Sequence, residues 1–147
     1  MGVTALQMIM AYSAVANGGY LLKPIIVDQI MSPENNIIFE SKIEVIRKIA
    51  SKSTMKKMKN MLSQAVDYGT GRTASIDGWS VAGKTGTAYK FIDGKYSKNF
   101  ISNFIGFFPK ENPQIAWIVI IDYPKTDNGM HTGGDVAAPA FRRIASR

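Results

Sequence analysis

The chain has 147 residues, 46% of them hydrophobic and 20% charged, enough for one domain with a real core and too apolar for a disordered chain. Cysteine is absent, which excludes disulfides and thiolate metal sites, and a single histidine cannot complete a metal site, so no metal or other cofactor is expected. The net charge of +7 reads first as solvated lysine, with an anionic polymer or a membrane surface as the lesser reading and no nucleic-acid partner expected. No apolar run approaches the ~18 residues needed to cross a membrane, and no signal peptide opens the chain.

Residues 3–19 read as a helix. Thr4 is placed as N-cap, Gln7 completes a capping box, and Val3 and Met8 are set for a hydrophobic staple. Leu6, Met8, Ile9, Met10, Ala11, Ala14, Val15 and Ala16 leave almost no polar face, which predicts a helix enclosed by protein. Asn17-Gly18-Gly19 ends it. Residues 20–47 read as short strands and turns, with strands at 24–27 and 37–39 on either side of Ser32-Pro33-Glu34-Asn35-Asn36, and they carry no chemistry. Residues 51–68 form an amphipathic helix whose buried stripe is Met55, Met58, Met61, Leu62, Ala65 and Val66. Lys52, Lys56, Lys57 and Lys59 take much of its solvated face. Gly69-Thr70-Gly71-Arg72-Thr73-Ala74 is a flexible turn.

A strand follows from Trp79 to Lys90, opening apolar and then carrying Lys84-Thr85-Gly86-Thr87. A period of two puts the Thr85 and Thr87 hydroxyls on one face, about 7 Å apart. Gly86 between them lets a ligand approach the backbone, and Lys84 adds a compact charge with three donors. The stretch reads as a sheet edge that receives an anion. The alternative is a plain edge strand, whose threonines suit β structure and whose lysine discourages aggregation. Asp93-Gly94 marks a turn, and two strands at 100–108 and 115–121 are rich enough in β-branched and aromatic residues to lie near a sheet centre, buried on both faces. Asn128-Gly129 and Gly133-Gly134 are loop, and His131 between them is a surface residue. Asp135 caps a last helix over 137–144, with Pro139 in its first turn.

Lys84-Thr85-Gly86 is the K-T-G element of penicillin-binding proteins and serine β-lactamases, and the longer Ala82-Gly83-Lys84-Thr85-Gly86-Thr87-Ala88 resembles the class B penicillin-binding proteins. Val3-Thr4-Ala5-Leu6-Gln7-Met8 with Ala16-Asn17-Gly18-Gly19, and Gly133-Gly134 with Val136-Ala137-Ala138-Pro139-Ala140-Phe141, are similar to the same family and stand in family order. A β-lactamase fits less well, because the C-terminal Ala-Ala-Pro pattern is the transpeptidase's. Ser53-Thr54-Met55-Lys56 satisfies S-x-x-K and Ser97-Lys98-Asn99 satisfies S-x-N. Both are set aside, because in the family each precedes K-T-G, and because Ser53 opens a lysine-rich surface helix.

The resemblance covers the C-terminal portion of a transpeptidase domain, residues 1–147, with no second domain. It implies an α+β fold in which the three strands are the last three of a five-stranded antiparallel sheet, packed against the first and last helices. It implies a peptidoglycan D,D-transpeptidase of division or elongation type, which acts through a serine acyl-enzyme on stem peptides ending in D-Ala-D-Ala and is acylated by β-lactams. Carried over, Thr85, Gly86 and Thr87 bind the substrate, Thr85 and Thr87 hold its carboxylate, the Thr87 backbone N–H is an oxyanion donor, and Lys84 supports the catalytic proton network. The nucleophile is absent from this stretch, so the chain alone is expected to be inactive. The expected partners are the missing N-terminal half of the domain or a second copy of the chain. The implied location is the cell envelope, with the parent anchored in the inner membrane and the domain outside the cytoplasm. A non-catalytic module binding wall peptides or anionic wall polymer is the other reading.

Overall fold

The computed structural model describes residues 2–127 and 129–146. Helix α1 (Ala5–Ala16) starts at Thr4, whose hydroxyl accepts from the Gln7 N–H at 3.2 Å while the Gln7 side chain accepts from the Thr4 N–H at 2.9 Å. The predicted capping box is therefore closed. Four short strands follow: β1 (Tyr20–Leu22), β2 (Gln29–Met31), β3 (Ile37–Glu40) and β4 (Val45–Lys48). They pair antiparallel as two ribbons, β1 with β4 and β2 with β3, so the second ribbon is nested in the connection of the first. The strand expected at 24–27 does not form; Pro24 lacks an N–H to give to a ladder, and pairing begins at Gln29.

Helix α2 (Lys52–Asp67) is capped by Ser51, whose hydroxyl accepts from the Thr54 N–H at 3.1 Å. Its inward stripe runs through Met55, Lys59, Leu62, Ser63 and Val66, rotated from the predicted one, and Met58 and Met61 are exposed. Ser63 is tolerated there because it donates to Asp67 at 3.1 Å, and the stem of Lys59 is half-covered.

A 3-10 turn (Arg72–Ala74) leads to the main sheet of β5 (Ala82–Ile92), β6 (Lys95–Phe108) and β7 (Ile115–Asp122), antiparallel in the order β5-β6-β7. The β5–β6 hairpin is longer than the sequence suggested, since β6 starts at Lys95 rather than at 100. A π-turn (Gly133–Ala137) then runs into α3 (Ala138–Ala145) with Pro139 in its first turn. Asp135 does not cap α3. Its carboxylate accepts from the N–H and the hydroxyl of Thr132 at 3.0 and 2.6 Å and so holds the start of the π-turn.

Phe104 and Phe108 on one face of β6 meet Phe141 of α3, Val66 of α2 and Val81, with Trp117, Val119 and Ile121 of β7 packed around them. The rings meet edge to face: Phe104–Phe141 at 4.8 Å and Trp117–Phe141 at 5.9 Å between centroids. Gly83 and Gly106 face each other in the ladder because the Phe104 ring lies over them; a Cβ on Gly83 would stand 2.5 Å from its tip. Helix α1 covers the other face through β6 and β7. It is not enclosed: only Ala14 is buried, and Leu6 is about half exposed. Nor is β7 buried on both faces. It is the outer strand, and Ile120 remains 47% exposed.

Candidate functional site

Lys84-Thr85-Gly86-Thr87 lies on β5, which pairs only with β6 among the described strands and so presents its other edge outward. In register, Lys84 faces Ile105, Thr85 faces Phe104, Gly86 faces Asn103 and Thr87 faces Ser102. Lys84 and Thr87 are exposed, Thr85 and Gly86 half-buried.

The Lys84 ammonium bends over the strand and donates to the Thr85 hydroxyl at 3.0 Å, the Thr70 hydroxyl at 3.1 Å and the Thr85 carbonyl at 3.3 Å. The two hydroxyls are 2.6 Å apart and share one hydrogen bond. With both oxygens already accepting from the lysine, one hydroxyl proton of the pair is left to give outward. Among the described residues Lys84 makes no ion pair, so its charge is balanced by dipoles alone. The Thr87 hydroxyl accepts from the Gly133 N–H at 3.0 Å, which orients a lone pair inward and leaves its proton free to donate.

Gly86 is hemmed in on both faces of the strand. A Cβ there would stand 2.6 Å from Oδ1 of Asn103, so that side chain fills the space a residue would take. On the opposite face the Gly133 backbone presses so close that its own Cβ would lie 2.6 Å from the Gly86 carbonyl oxygen. A ligand therefore reaches Gly86 only along the strand edge. His131 is half-buried, not superficial. Its ring stacks on Phe100 at 3.7 Å, and its carbonyl accepts the hydrogen bond of buried Ser102.

The site residues chosen from sequence are thus together, and three others join them. Thr70, Asn103 and Gly133 were missed. Gly69-Thr70-Gly71 gave a signal, read only as a turn; Gly133 was noted only as loop and within the family-like C-terminal stretch, and nothing local marks Asn103. Ser53 and Ser97 stay out of the cluster: Ser53 bonds Ser51 at 2.8 Å, and Ser97 accepts from the Asn99 N–H at 3.1 Å. At the other end of the sheet, Ser80 donates to Glu111 and holds its carboxyl below the usual range. Burial, with Lys52 nearby, lowers the Lys59 ammonium.

The family model for the penicillin-binding protein transpeptidase domain matches residues 1–146. The chain belongs to that family. Stage V sporulation protein D of Bacillus subtilis is 39% identical over 144 residues, covering 97% of this chain and 22% of its own length. The probable peptidoglycan D,D-transpeptidase PenA of Neisseria meningitidis is 38% identical over the same length, again with 22% of its own length covered. Among solved structures, the D,D-transpeptidase domain of a peptidoglycan glycosyltransferase from Eggerthella lenta superposes with a TM-score of 0.82 at 29% identity, over 98% of this chain and 31% of that one. Penicillin-binding protein A of Mycobacterium tuberculosis, solved as a ceftriaxone acyl-enzyme complex, gives a TM-score of 0.81 at 25% identity, over 97% of this chain and 32% of that one. This penicillin-binding-protein chain therefore spans about a fifth to a third of the length of these four proteins, in an α+β fold that it shares with the two solved structures.

Proposed function

We propose that the chain is the C-terminal part of a peptidoglycan D,D-transpeptidase domain in the cell envelope, where it supplies the strand that holds the donor peptide. The observation that carries this is the Lys84–Thr87 edge, with its lysine-bridged hydroxyl pair and the Thr87 hydroxyl fixed by Gly133. The donor lies antiparallel along β5, as a strand added to an open edge. Thr85 and Thr87 hold its terminal carboxylate, and Lys84 supplies the local positive field. The Thr87 N–H is one oxyanion donor, contributing about 3 kcal/mol to transition-state stabilisation. The attacking serine comes from outside this stretch, so its acyl-enzyme, with a stem peptide or a β-lactam, forms only when the rest of the domain is present. The rest of the domain is the partner the chain requires. The names of the two relatives, a sporulation protein and a peptidoglycan transpeptidase, support a role in wall synthesis.

The test is a chimera in which this chain replaces the matching part of Bacillus subtilis stage V sporulation protein D. Fluorescent penicillin should label the chimera covalently and leave the isolated chain unlabelled. Lys84→Ala or Thr87→Val in the chimera should slow labelling by about tenfold or more, the size of one lost hydrogen bond or charge contact to the carboxylate; the Thr87 N–H is kept in both. Label on the isolated chain at any residue, or variants that acylate as fast as the parent chimera, would overturn the reading.

A further inference from the structure

Where Ser80 meets Glu111, away from Lys84–Thr87, a cleft of about 830 Å³ opens between the C-terminal end of α1, the first half of α2 and the turn joining β6 to β7. Lys52, Lys56 and Lys59 line it from α2 and Lys110 from the turn opposite, with Glu111 as the one carboxylate among these lining residues. A row of helix lysines is usually a solvated face, and Lys57, exposed and outside the cleft, is one. Lys59 is not. It stands on the inward stripe with Met55 and Leu62, and burial, then Lys52 nearby, holds its ammonium below the usual lysine range. The row also works against its own helix. Lys52 and Lys56 are four residues apart and Lys56 and Lys59 three, so like charges face each other on one side of α2. The first turn has no acidic residue, which leaves cations at the positive end of the helix dipole. Stability alone would place carboxylates there, and a break of local rules in a cleft is the mark of a site that waits for its counter-charge.

Charge then decides the class of anion. Four ammoniums against one carboxylate leave three positive charges in excess among the lining residues. Glu111 is already engaged, accepting from Ser80 and paired with Lys110 at 3.5 Å, so it does not neutralise the α2 row. A carboxylate guest brings a single charge and a phosphate monoester about 1.5–2 at neutral pH, so each leaves the row short, whereas two joined phosphates match it. Length agrees, since Lys52 to Lys59 covers about 10 Å along the helix, a row that an extended anion follows better than a compact one. We infer that this cleft is a binding site for a diphosphate group, seated along Lys52, Lys56 and Lys59 with Lys110 across from them. Lysine suits the task as a compact charge with three donors, and Asn60 lines the same wall as a further donor. The open N–H groups at the start of α2 favour the same sign of charge. The site shares no residue with the Lys84–Thr87 cluster and does not rest on the proposed donor strand.

Calorimetric titration of the full 147-residue chain with inorganic pyrophosphate tests this, with orthophosphate and phosphatidylglycerol vesicles titrated separately. Pyrophosphate should bind about tenfold or more tighter than orthophosphate. Lys59→Gln should weaken it about tenfold, the size of one charge-assisted contact, while Lys57→Gln changes it by no more than about twofold. Glu111→Gln should tighten it several-fold, because the competing carboxylate goes while an acceptor for Ser80 stays. Equal affinity for the two phosphates, or equal losses at Lys57 and Lys59, would reduce the row to diffuse charge and overturn the site. Binding to the vesicles without binding to soluble pyrophosphate overturns it as well, since the lysines would then be a membrane contact. So does release of pyrophosphate when the preceding part of a related transpeptidase domain is added, which would make the cleft a contact for that part.

Discussion

Gly133 is the residue on which the site's geometry turns. Its N–H holds the Thr87 hydroxyl, and its α-carbon lies so close to β5 and β6 that an added Cβ would meet the Asn103 carbonyl oxygen at 2.3 Å and the Gly86 carbonyl oxygen at 2.6 Å. Both are backbone atoms and cannot swing away. Gly133→Ala must therefore push the π-turn off the sheet, at a cost of about 2–4 kcal/mol, the range of severe overpacking. Chemical denaturation of the parent and the variant measures it. Gly78→Ala serves as the comparison: it has open space around it but a φ of +80°, so it should cost only about 1 kcal/mol of backbone strain. Equal losses at the two positions would show that the close approach of Gly133 does not hold. Gly86, by contrast, has the movable end of Asn103 as its nearest neighbour, so its replacement disturbs the site before it disturbs the fold.

At the scale of elements, α3 is anchored chiefly by one ring, with Ala138 buried beside it and Ala145 packed against the same core. Phe141 is fully buried and touches Phe104, Phe108 and Trp117, while the helix around it exposes Arg142, Arg143 and Ile144. Phe141→Ala should cost about 3–5 kcal/mol, and because α3 continues the π-turn it should also loosen the Gly133 contact with Thr87. Faster amide exchange at Gly133 than at the β6 amides would report that coupling; uniform exchange across both would argue that α3 and the site are independent. The same elements show what a sequence can and cannot declare. The Thr4–Gln7 box, the Ser51-to-Tyr68 helix and the strand with Lys84-Thr85-Gly86-Thr87 at its edge were legible, because each depends on residues within one turn or one strand. The stripe on α2 was misplaced because Met58 and Met61 are as apolar as Met55, and only packing against β5 decides which face turns in. The strand expected at 24–27 has the right composition but no partner. Thr70 with Lys84 and Gly133 with Thr87 are 14 and 46 residues apart, and such pairings are fixed by topology rather than by local pattern.

For the molecule as a whole, exposed area is the quantity that matters. A compact monomer of 16.1 kDa exposes about 7,400 Å² by the usual scaling, whereas this chain exposes 10128 Å². The excess, about 2,700 Å² on this one partner, is at or above the roughly 1,000–2,500 Å² per partner that obligate interfaces bury. Much of it is apolar. Val3 stands out just ahead of α1 and Leu6 on it, Ile38 projects from β3 at 69% exposure, and Ile26 and Ile43 project from the connections between the strands at 90% and 77%. At about 25 cal/mol per Å², covering even half of that excess as apolar surface offsets tens of kcal/mol, far more than the net stability of a domain this size. A surface of that kind does not stay in water when a complement is available. The isolated chain is therefore expected to self-associate at low micromolar concentration, giving a light-scattering mass at least twice that of the monomer. Supplying the preceding part of a related transpeptidase domain in trans should replace the self-complex with a one-to-one complex, read by native mass spectrometry as one copy of each chain. A compact monomer in the first measurement would mean that the ribbons and α1 fold back on this chain's own core, and the claim that it needs the rest of its domain would fall with it.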